Sequence, residues 1–501
     1  MNEAGRQGGM KRLLSVALSA ALAIAFSLIF YTANTPLGPC ISSDNAMYLT
    51  MGTALARGYA PYTEIFDHKG PLLFLLQMLP QALSGGYSTL AVFIQQVIFL
   101  FAGLRVIEAI ARRMGVRCGA LAQLAYLALI ASLVSGGNLT EEYANLFTLI
   151  GLYTMLRVFD GEERTVRALL LPAALLGALA MLCLLTRANN ALPLCGAALG
   201  LSLWLLLSRR FAQLGACALG FTMGALLAAL PVVLWLAAQG ALSASIYGAF
   251  IHNMMYAETD GVGRISMLLH SGYGRCAMLM AALTCAGALA MLLRTRRWAA
   301  PMALVLAAAA GGAAAFISHK YYNHYLILGA PAAVVGVCAL LASVQGVRRA
   351  GLRRALLCAA LAVCCLWLGM RGRIANADRL AELAESGTLA QDAQALYAQV
   401  PEAERDSFMA YRVEPKWYVY AEALPCMRFY FLQEILAQAD PAVMDEIVET
   451  FETNPPRWLV IFYNREFGPP YDGRIASIFE QNYEFVDARG QYQLLRLKEG
   501  A

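Results

Sequence analysis

The residues best suited to chemistry lie in one polar stretch, Ser42–Pro71, between the first two long apolar segments. Three carboxylates, an imidazole and an ammonium group stand close together there: Asp44, Glu64, Asp67, His68 and Lys69. Ionisable side chains are expensive beside a bilayer, so such a cluster in an apolar chain is a candidate functional site. A carboxylate can act as a general base toward a hydroxyl, and a cation can stabilise a departing phosphate. The alternative is a solvated loop whose charges only keep it in water.

The composition is that of a membrane protein. The chain has 501 residues, of which 59% are hydrophobic and 14% are charged, and its mean hydropathy is +0.56. A soluble protein of this length cannot bury so much apolar surface, so we predict that lipid is its solvent. The 12 cysteines are scattered without metal-ligand spacing, which argues against a zinc or redox framework.

Charge divides the chain into two parts. Residues 1–370 carry 25 Lys and Arg against 12 Asp and Glu, whereas residues 371–501 carry 13 against 21. A basic, apolar body is thus joined to an acidic tail of ordinary composition. We therefore predict an α-helical transmembrane domain over residues 1–370 and a small extracytoplasmic α/β domain over residues 371–501.

The apolar runs predict about eleven transmembrane helices. They are Leu13–Thr32, Leu90–Ile110, Cys118–Val134, Tyr143–Phe159, Ala168–Leu185, Ala191–Leu207, Leu214–Leu236, Cys276–Leu293, Trp298–Ile317, Tyr325–Val344 and Ala355–Trp367. We interpret the first as a retained helix rather than a signal peptide, because it is long and lacks a small-residue cleavage pattern.

Arginine marks one side of the predicted membrane. Alternate loops are Arg-rich, at Arg112, Arg209, Arg296 and Arg348, on the same side as the N-terminus. Positive loops face the cytoplasm, so the other side, including the C-terminus, is extracytoplasmic.

The predicted extracytoplasmic side holds seven of the twelve acidic residues before the tail: Asp44, Glu64, Asp67, Glu141, Glu142, Glu258 and Asp260. These carboxylates predict a polar cavity at the outer rim, since no span carries a convincing mid-helix ionisable residue.

Two further segments are apolar but do not fit a span. Leu72–Leu83 is too short and Ser245–Leu269 is amphipathic, which predicts helices lying in the membrane interface. His252 belongs to the second segment, and we assign it to that helix rather than to the site.

The tail alternates strands and helices, which is typical of an α/β domain. It has no Gly-rich phosphate loop and no nucleophile motif, so we interpret it as an accessory module. Its predicted elements are Ala377–Gln399, Ser407–Tyr411, Pro441–Thr453, Trp458–Tyr463, Ile475–Gln481 and a hairpin of Tyr483–Val486 with Tyr492–Leu497.

Short motifs follow one another along the predicted outer face. The first loop contains D-x-x-x-Y, R-G-Y-x-P-Y and F-D-H-K-G-P-L-L, beginning at Asp44, Arg57 and Phe66. T-E-E-Y-A-N-L-F, T-R-A-N-N and Y-Y-N-H-Y-L-I-L-G-A-P begin at Thr140, Thr186 and Tyr321. This series resembles the GT-C membrane glycosyltransferases, most closely bacterial relatives of the protein O-mannosyltransferases and aminoarabinose transferases.

The resemblance implies a hexosyl- or pentosyltransferase of the cell envelope, inverting by analogy. Its donor would be a polyprenyl-phosphate sugar, and its acceptor a lipid, glycan or protein at the outer face of the cell membrane. Asp44 occupies the family's general-base position. Lys69 matches the lysine of the related K-P-P pattern, which reads K-G-P here, and Arg187 and His324 are further candidates for binding the donor phosphate. We expect no nucleic-acid partner.

Other polar residues of these motifs are candidates for binding substrate. They are Asp67, His68, Glu141, Glu142, Tyr62 and Tyr322. Carboxylate and imidazole together also suit a divalent metal, so Asp67, His68 and Glu141 are alternative metal ligands. Their spacing is not diagnostic, so sugar binding and metal binding both stay open.

Two other classes of function compete with a transferase. A flippase or transporter of a lipid-linked envelope precursor would favour internal repeats and broken helices in corresponding halves, and neither is visible in the sequence. A non-catalytic subunit for polymer assembly would tolerate loss of Asp44.

Overall fold

The structure, a computed structural model, describes residues 3–160, 165–258, 271–317, 321–462 and 472–500. Asp260 and the part of the predicted interfacial segment beyond residue 258 lie outside these ranges.

Helices dominate the described chain. In order they are α1 (Glu3–Phe30), α2 (Ser43–Ala56), α3 (Pro71–Ser84), α4 (Thr89–Arg113), α5 (Gly119–Ile130), α6 (Thr140–Phe159), α7 (Val166–Thr186), α8 (Leu192–Leu207), α9 (Phe211–Ala238), α10 (Leu242–Ile246), α11 (Asn253–Glu258), α12 (Gly272–Thr295), α13 (Ala299–Phe316), α14 (Ala330–Gln345), α15 (Ala350–Tyr397), α16 (Lys416–Ala421), α17 (Gln433–Ala439), α18 (Ala442–Thr453) and α19 (Gly473–Asn482). Short 3₁₀ segments cover Ala188–Ala191, Asn323–Gly329 and Glu402–Ser407, and a π-helical segment covers Tyr247–His252. The strands are β1 (Phe408–Tyr411), β2 (Trp458–Phe462), β3 (Tyr483–Arg489) and β4 (Tyr492–Leu497).

Most of the predicted spans are present as long apolar helices. Within the described residues, nine helices are long and apolar enough to cross a membrane. They are Gly9–Phe30, Thr89–Arg113, Val166–Thr186, Ala188–Leu207, Phe211–Ala238, Gly272–Thr295, Ala299–Phe316, Asn323–Gln345 and Ala350–Tyr397. A bilayer core requires about 20 apolar residues, and each helix coincides with a run predicted from the sequence. The chain is therefore an α-helical, polytopic membrane protein.

The two remaining predicted spans are helices of a different kind. Cys118–Val134 is shortened to the 12 residues of α5, because the chain turns through residues 135–138, all of which have positive φ. Tyr143–Phe159 lies within the 20 residues of α6, whose first turn carries two glutamates and whose last turn carries Arg157. These charges explain why α6 is less apolar than an ordinary span, although most of its residues are buried.

The described residues form two compact units. The first comprises Met1–Leu37, Phe93–Val232 and Asp260–Ala377, and the second comprises Gly38–Val92, Val233–Thr259 and Asp378–Ala501. The second unit thus contains both the polar first loop and the tail. The predicted domain boundary at residue 370 falls inside the 48-residue helix α15 and stays a prediction.

The second unit contains the small sheet that the tail predicts. Its strand order is β1-β2-β4-β3, with β1 parallel to β2 and the other neighbours antiparallel. β1 is buried along its whole length, as expected for a strand covered on both faces. Phe408 of β1 stacks on Trp417 of α16 at 5.3 Å between ring centroids. The predicted α/β character of the tail is confirmed.

Helices α2 and α3 flank the polar loop in the second unit. The Ser42 hydroxyl caps α2 by accepting from the Asn45 amide at 3.3 Å, and Asp44 in the first turn complements the helix dipole. Pro71 begins α3, and Gly85 ends it with φ 79°. The predicted helix Leu72–Leu83 is confirmed by α3, while its position in the membrane interface stays a prediction.

Glycines allow α7 and α9 to approach closely in the first unit. Gly220 and Gly224 form a G-x-x-x-G pattern on α9, the arrangement that brings membrane helices into backbone contact. A Cβ at Gly224 would lie 1.8 Å from the carbonyl oxygen of Ala174 on α7, and one at Gly220 would lie 2.6 Å from that of Leu170. No side chain fits at this crossing without separating the helices.

Replacing Gly224 by valine should therefore destabilise the first unit. Overpacking of a close crossing costs about 1–3 kcal/mol, so Gly224→Val should lower the melting temperature of the purified protein in detergent. The matched control is Gly215→Val on the same helix, where an added Cβ meets no atom within 4 Å. An equal loss in both variants would assign the effect to helix propensity instead of close approach.

Candidate functional site

Asp67, His68 and Lys69 form a buried chain of polar side chains in the second unit. The Lys69 ammonium donates to Nε2 of His68 at 2.8 Å, and Nδ1 of His68 lies 3.1 Å from Oδ1 of Asp67. The His68 amide also donates to Oδ1 at 2.6 Å. An acceptor role for Nε2 places the proton on Nδ1, so the imidazole links the cation to the carboxylate.

The charges of this chain stabilise one another. Burial acts to raise the pKa of Asp67, but the Lys69 ammonium and His68 outweigh it and lower the pKa to about 2. Asp67 is 1% exposed, and both of its partners are 7% exposed. Within the described residues, Oδ2 of Asp67 has no hydrogen-bond partner. The carboxylate is therefore ionised at neutral pH and keeps one oxygen available to accept a bond from a ligand.

Neighbouring segments hold the backbone of this chain in place. The Tyr62 hydroxyl donates to the Lys69 carbonyl at 2.7 Å, and the Tyr62 ring packs against Phe74 of α3 at 5.3 Å. The Phe66 amide donates to the Arg428 carbonyl at 3.0 Å. A residue of the first loop and a residue of the tail thus fix the two ends of the sequence that carries the polar chain.

The π-helical segment Tyr247–His252 contributes a histidine that the sequence analysis assigned elsewhere. His252 is fully buried, with its ring 5.6 Å from Phe66 and 6.2 Å from His68 between centroids. Burial lowers the pKa of His252, which favours the neutral ring at neutral pH. The adjacent Asn253 side chain donates to the His68 carbonyl. Unusual helical turns often occur at functional sites, so His252 and Asn253 belong with this cluster.

Asp44 differs from the other acidic residues of the site. It lies in the first turn of α2 and is partly exposed. In the part of the chain that the structure describes, its carboxylate makes no hydrogen bond and no ion pair. One turn later, the Met47 carbonyl accepts from the Tyr430 hydroxyl at 3.1 Å, which anchors this end of α2 to the tail. Asp44 is thus on a fixed helix with its carboxylate available.

In the first unit, Glu141 and Arg187 form a second buried ion pair. Nη1 of Arg187 donates to Glu141 at 3.1 Å, and their side chains are 13% and 1% exposed. Nη2 of Arg187 donates to the Tyr325 hydroxyl at 2.9 Å, and the guanidinium carbon lies 4.4 Å from the centre of that ring. Arg187 is therefore held by a carboxylate, a hydroxyl and an aromatic face together.

Two further aromatic side chains pack beside Tyr325. His324 stacks on Tyr322 at 5.5 Å and meets Tyr325 edge-on at 4.7 Å. Tyr322 is 51% exposed, so one face of the group is open. Glu142, next to Glu141 on α6, accepts from the Gln96 side chain at 3.4 Å.

The predicted site residues are divided between the two units. Asp44, Tyr62, Asp67, His68 and Lys69 lie in the second unit; Glu141, Glu142, Arg187, Tyr322 and His324 lie in the first. The roles assigned to these residues stay predictions.

The described residues do not form a site for the divalent metal that the sequence left open as an alternative to sugar binding. Among the described residues, no group of three or more His, Cys, Asp or Glu side chains could hold a metal ion. Asp67 and His68 are adjacent, but the Lys69 ammonium already bonds to His68, and Glu141 pairs with Arg187.

One ion pair was not expected from the sequence. Arg105 and Glu108 form a pair within α4, and Glu108 is 7% exposed. Arg105 also donates to the hydroxyls of Ser15 and Ser19 at 2.9 and 3.1 Å, and Gln123 donates to Ser19 at 2.9 Å. The pair lies toward the C-terminal end of α4, so the expectation that no span carries a convincing mid-helix ionisable residue stays a prediction. Neighbouring hydroxyl and amide groups satisfy this pair, which is the usual condition for charge inside a membrane helix.

Comparison with known proteins identifies related folds. ArnT from Cupriavidus metallidurans bound to undecaprenyl phosphate matches with a TM-score of 0.64 and 15% identity, over 96% of this chain and 98% of that chain. The apo state of the same protein matches with 0.62 and 15% identity, over 98% of each chain. The Archaeoglobus fulgidus oligosaccharyltransferase in complex with Zn and sulfate gives 0.51 and 12% identity, over 89% of this chain and 67% of that chain.

These structures have the GT-C fold, and the predicted resemblance is confirmed at the level of the fold. No protein-family model matches the sequence, and no curated protein sequence matches it either.

The Asp67 cluster predicts a pH dependence of stability. Because the pKa of Asp67 is about 2 in the folded protein and 3.8 for an unperturbed aspartate, its stabilising effect is complete above about pH 5. It is lost as pH falls toward 2, and it amounts to about 2 kcal/mol. Asp67→Asn should remove this acid-dependent loss, measured as the melting temperature in detergent from pH 6 to pH 2.5. Glu64→Gln, an exposed change in the same loop, should keep the wild-type profile; if Asp67→Asn did too, the ion pair would not be present.

Proposed function

We propose that this chain is a membrane glycosyltransferase. It transfers a hexosyl or pentosyl group from a polyprenyl-phosphate donor to a hydroxyl of a lipid, glycan or protein acceptor in the cell envelope. The observation that carries the proposal is the fold shared along almost the whole chain with ArnT, an aminoarabinose transferase crystallised with undecaprenyl phosphate. Two clusters that combine cations with carboxylates supply groups of the right chemistry.

The proposed reaction is a single displacement with inversion. The acceptor oxygen attacks the anomeric carbon, the bond from that carbon to the phosphate oxygen breaks, and the lipid phosphate leaves with the bonding electrons. Asp44 takes the proton of the acceptor hydroxyl. Its carboxylate makes no competing bond within the described residues, which suits a base that must accept a proton from a substrate.

Lys69, Arg187 and His324 are the proposed contacts of the donor phosphate. The Lys69 ammonium uses one of its three N–H groups on His68, which leaves two for phosphate oxygens. The bonds of Arg187 to Glu141 and Tyr325 fix the orientation of its guanidinium group. Fixed cations stabilise developing negative charge better than mobile ones, because they need not reorganise.

The remaining candidates are proposed to bind the sugar and the acceptor. Asp67 offers Oδ2 to a hydroxyl, and Tyr322 offers a partly exposed ring on which a sugar can stack. His68 and Tyr62 act through Lys69, one on its ammonium and the other on its carbonyl. Glu141 and Glu142 are further candidates for sugar hydroxyls. No step of this mechanism requires a metal.

The active site and the C-terminus are proposed to be extracytoplasmic. The support is that alternate loops of the chain are rich in arginine. Loops rich in Lys and Arg face the cytoplasm in membrane proteins. Arg296→Cys and Glu449→Cys, each in a cysteine-free background, distinguish the two orientations. In intact cells, an impermeant maleimide should label Cys at position 449 strongly and at position 296 only after permeabilisation. The reverse pattern would contradict the orientation.

The sharpest test of the proposed chemistry is Asp44→Asn. The change keeps the shape and one acceptor oxygen but removes the basicity. Loss of a general base should slow transfer by about two to four powers of ten, or about 3–5 kcal/mol of barrier. Donor binding should change little, because the carboxylate acts mainly in the transition state. We would measure single-turnover transfer from a radiolabelled polyprenyl-phosphate sugar in detergent, together with donor binding.

The control is Glu64→Gln, which is exposed in the same loop and should keep wild-type transfer. A near wild-type rate for Asp44→Asn would mean that another residue is the base.

The same assay distinguishes the rival functions. A transporter would give no radiolabelled product with any variant, while moving the lipid-linked substrate between leaflets in vesicles. An assembly subunit would give neither activity.

A further inference from the structure

A cavity of about 680 Å³ lies within the second unit. This volume is in the range of small-molecule binding sites. Four segments line the cavity: the loop after α2, the C-terminal end of α15, the 3₁₀ segment before β1 and the C-terminal end of α16. Its described ionisable lining residues include Arg57, Tyr59, Glu402, Arg405, Asp406 and Glu422. The proposed transfer reaction gives none of these residues a role.

The three acidic residues of the 3₁₀ segment have different surroundings. Glu404 accepts from the indole N–H of Trp458 at 2.6 Å and from the Arg457 side chain at 3.3 Å. The side chains of Glu402 and Asp406, on either side of it, make no hydrogen bond or ion pair in the described chain. Glu404 thus fixes the segment to the start of β2, whereas the other two carboxylates are available in the cavity.

The two arginines of the cavity also lack acidic partners. Nε of Arg405 donates to the Val400 carbonyl at 3.4 Å, and its guanidinium carbon lies 4.9 Å from the centre of the Tyr397 ring. These contacts position the guanidinium group without neutralising its charge. Arg57 is exposed and forms no ion pair within the described residues. Guanidinium and carboxylate groups therefore line one cavity without bonding to each other.

Tyr59 adds an aromatic ring and a hydroxyl group to this lining. Burial raises the pKa of Tyr59, and the nearby charges of Asp406 and Arg57 act on it in opposite directions. The phenol is therefore neutral at neutral pH, so its hydroxyl can both donate and accept a hydrogen bond. The Tyr59 side chain is partly exposed, which leaves apolar ring surface for a ligand.

The backbone at Glu422 is unusual for its residue type. Glu422 ends α16 in the left-handed conformation, with φ 53°, a position that glycine or asparagine usually occupies. The next residue is anchored, because the Tyr87 hydroxyl donates to the Ala423 carbonyl at 2.8 Å. The Glu422 carboxylate itself bonds to no described residue. The chain thus keeps a strained residue whose side chain lines the cavity.

This lining suits a neutral sugar better than a charged ligand. Every sugar hydroxyl both donates and accepts a hydrogen bond, so it can bond to carboxylate, guanidinium and phenol groups together. Carboxylate and guanidinium groups are planar and offer two parallel bonds, which match two neighbouring hydroxyls. The lining carboxylates would repel an anion, and the lining arginines would repel a cation.

We propose that this cavity binds a neutral pyranose unit of a glycan. The carboxylates of Glu402 and Asp406 accept from its hydroxyls, and the guanidinium groups of Arg57 and Arg405 donate to them. The apolar C–H face of the sugar packs on the ring of Tyr59. This binding does not depend on the proposed transfer reaction.

The first experiment measures binding of sugars to the full-length protein in lipid nanodiscs, which contain no sugar detergent. Maltotriose, mannotriose and chitotriose are the neutral probes, and trigalacturonic acid is the anionic probe. Saturation-transfer difference NMR should detect saturable binding of at least one neutral trisaccharide and weaker binding of trigalacturonic acid.

Single substitutions test the residues that contact the sugar. Asp406→Asn should weaken binding of the neutral trisaccharide about tenfold, because it removes a hydrogen bond to a charged group. Tyr59→Ala should also weaken binding, whereas Tyr59→Phe keeps the ring and should retain most of it. The matched control is Glu452→Gln, an exposed carboxylate of the same unit outside the cavity, which should bind as wild type.

Glu402→Gln combined with Asp406→Asn provides a test that misfolding cannot imitate. The double change removes two negative charges from a cavity that keeps both arginines. Trigalacturonic acid should therefore bind about fivefold more tightly than to the wild-type protein.

Three outcomes would overturn the assignment. Absence of binding by all three neutral trisaccharides would mean that the cavity binds no such glycan. Tighter binding of trigalacturonic acid than of the neutral probes to the wild-type protein would mean that it is an anion site. Equal losses in Asp406→Asn and Glu452→Gln would place the bound sugar elsewhere.

Discussion

A carboxylate that leaves water for a protein interior loses several kcal/mol of solvation unless a cation or hydrogen-bond donors replace the water. Each unit of this protein meets that requirement with pairs of opposite charge. Asp67 faces Lys69 through an imidazole, and Glu141 faces Arg187 directly. Glu108, within a span, is satisfied by an arginine and neighbouring hydroxyl groups. Of these pairs, Glu141–Arg187 joins two separate segments, whereas the other two are formed within one loop and within one helix.

The same requirement distinguishes carboxylates that contact a basic side chain from a carboxylate that has no such contact. Asp67 and Glu141 each contact a basic side chain, His68 and Arg187, and Asp67 keeps only Oδ2 without a partner among the described residues. Asp44 has no such partner within the described chain and stays partly in water. A general base requires that freedom, whereas an anchor for a cation requires its loss. The surroundings of these carboxylates therefore differ in the way that their proposed roles require.

The sequence predicted best what depends on local pattern. Apolar runs located the long helices, and strand alternation located the hairpin of β3 and β4 within a few residues. The polar chain of Asp67 was predictable because its members are consecutive. His252 was missed because it is 184 positions from His68 and its segment resembles an ordinary amphipathic helix. Helix α5 is shorter than the predicted span because the chain turns through residues 135–138, and α6 begins with two glutamates that average hydropathy does not locate.

The Glu141–Arg187 pair also limits how this protein can evolve. A mutation that neutralises either partner removes the opposite charge that the other faces, at a cost of about 3–5 kcal/mol, comparable to the whole stability of many domains. A substitution at one position alone is therefore selected against unless the other position changes almost simultaneously. Because the two residues are 46 positions apart, such paired changes are rare events. Lineages that descend from a common ancestor should keep both charges or have lost both, with few intermediates.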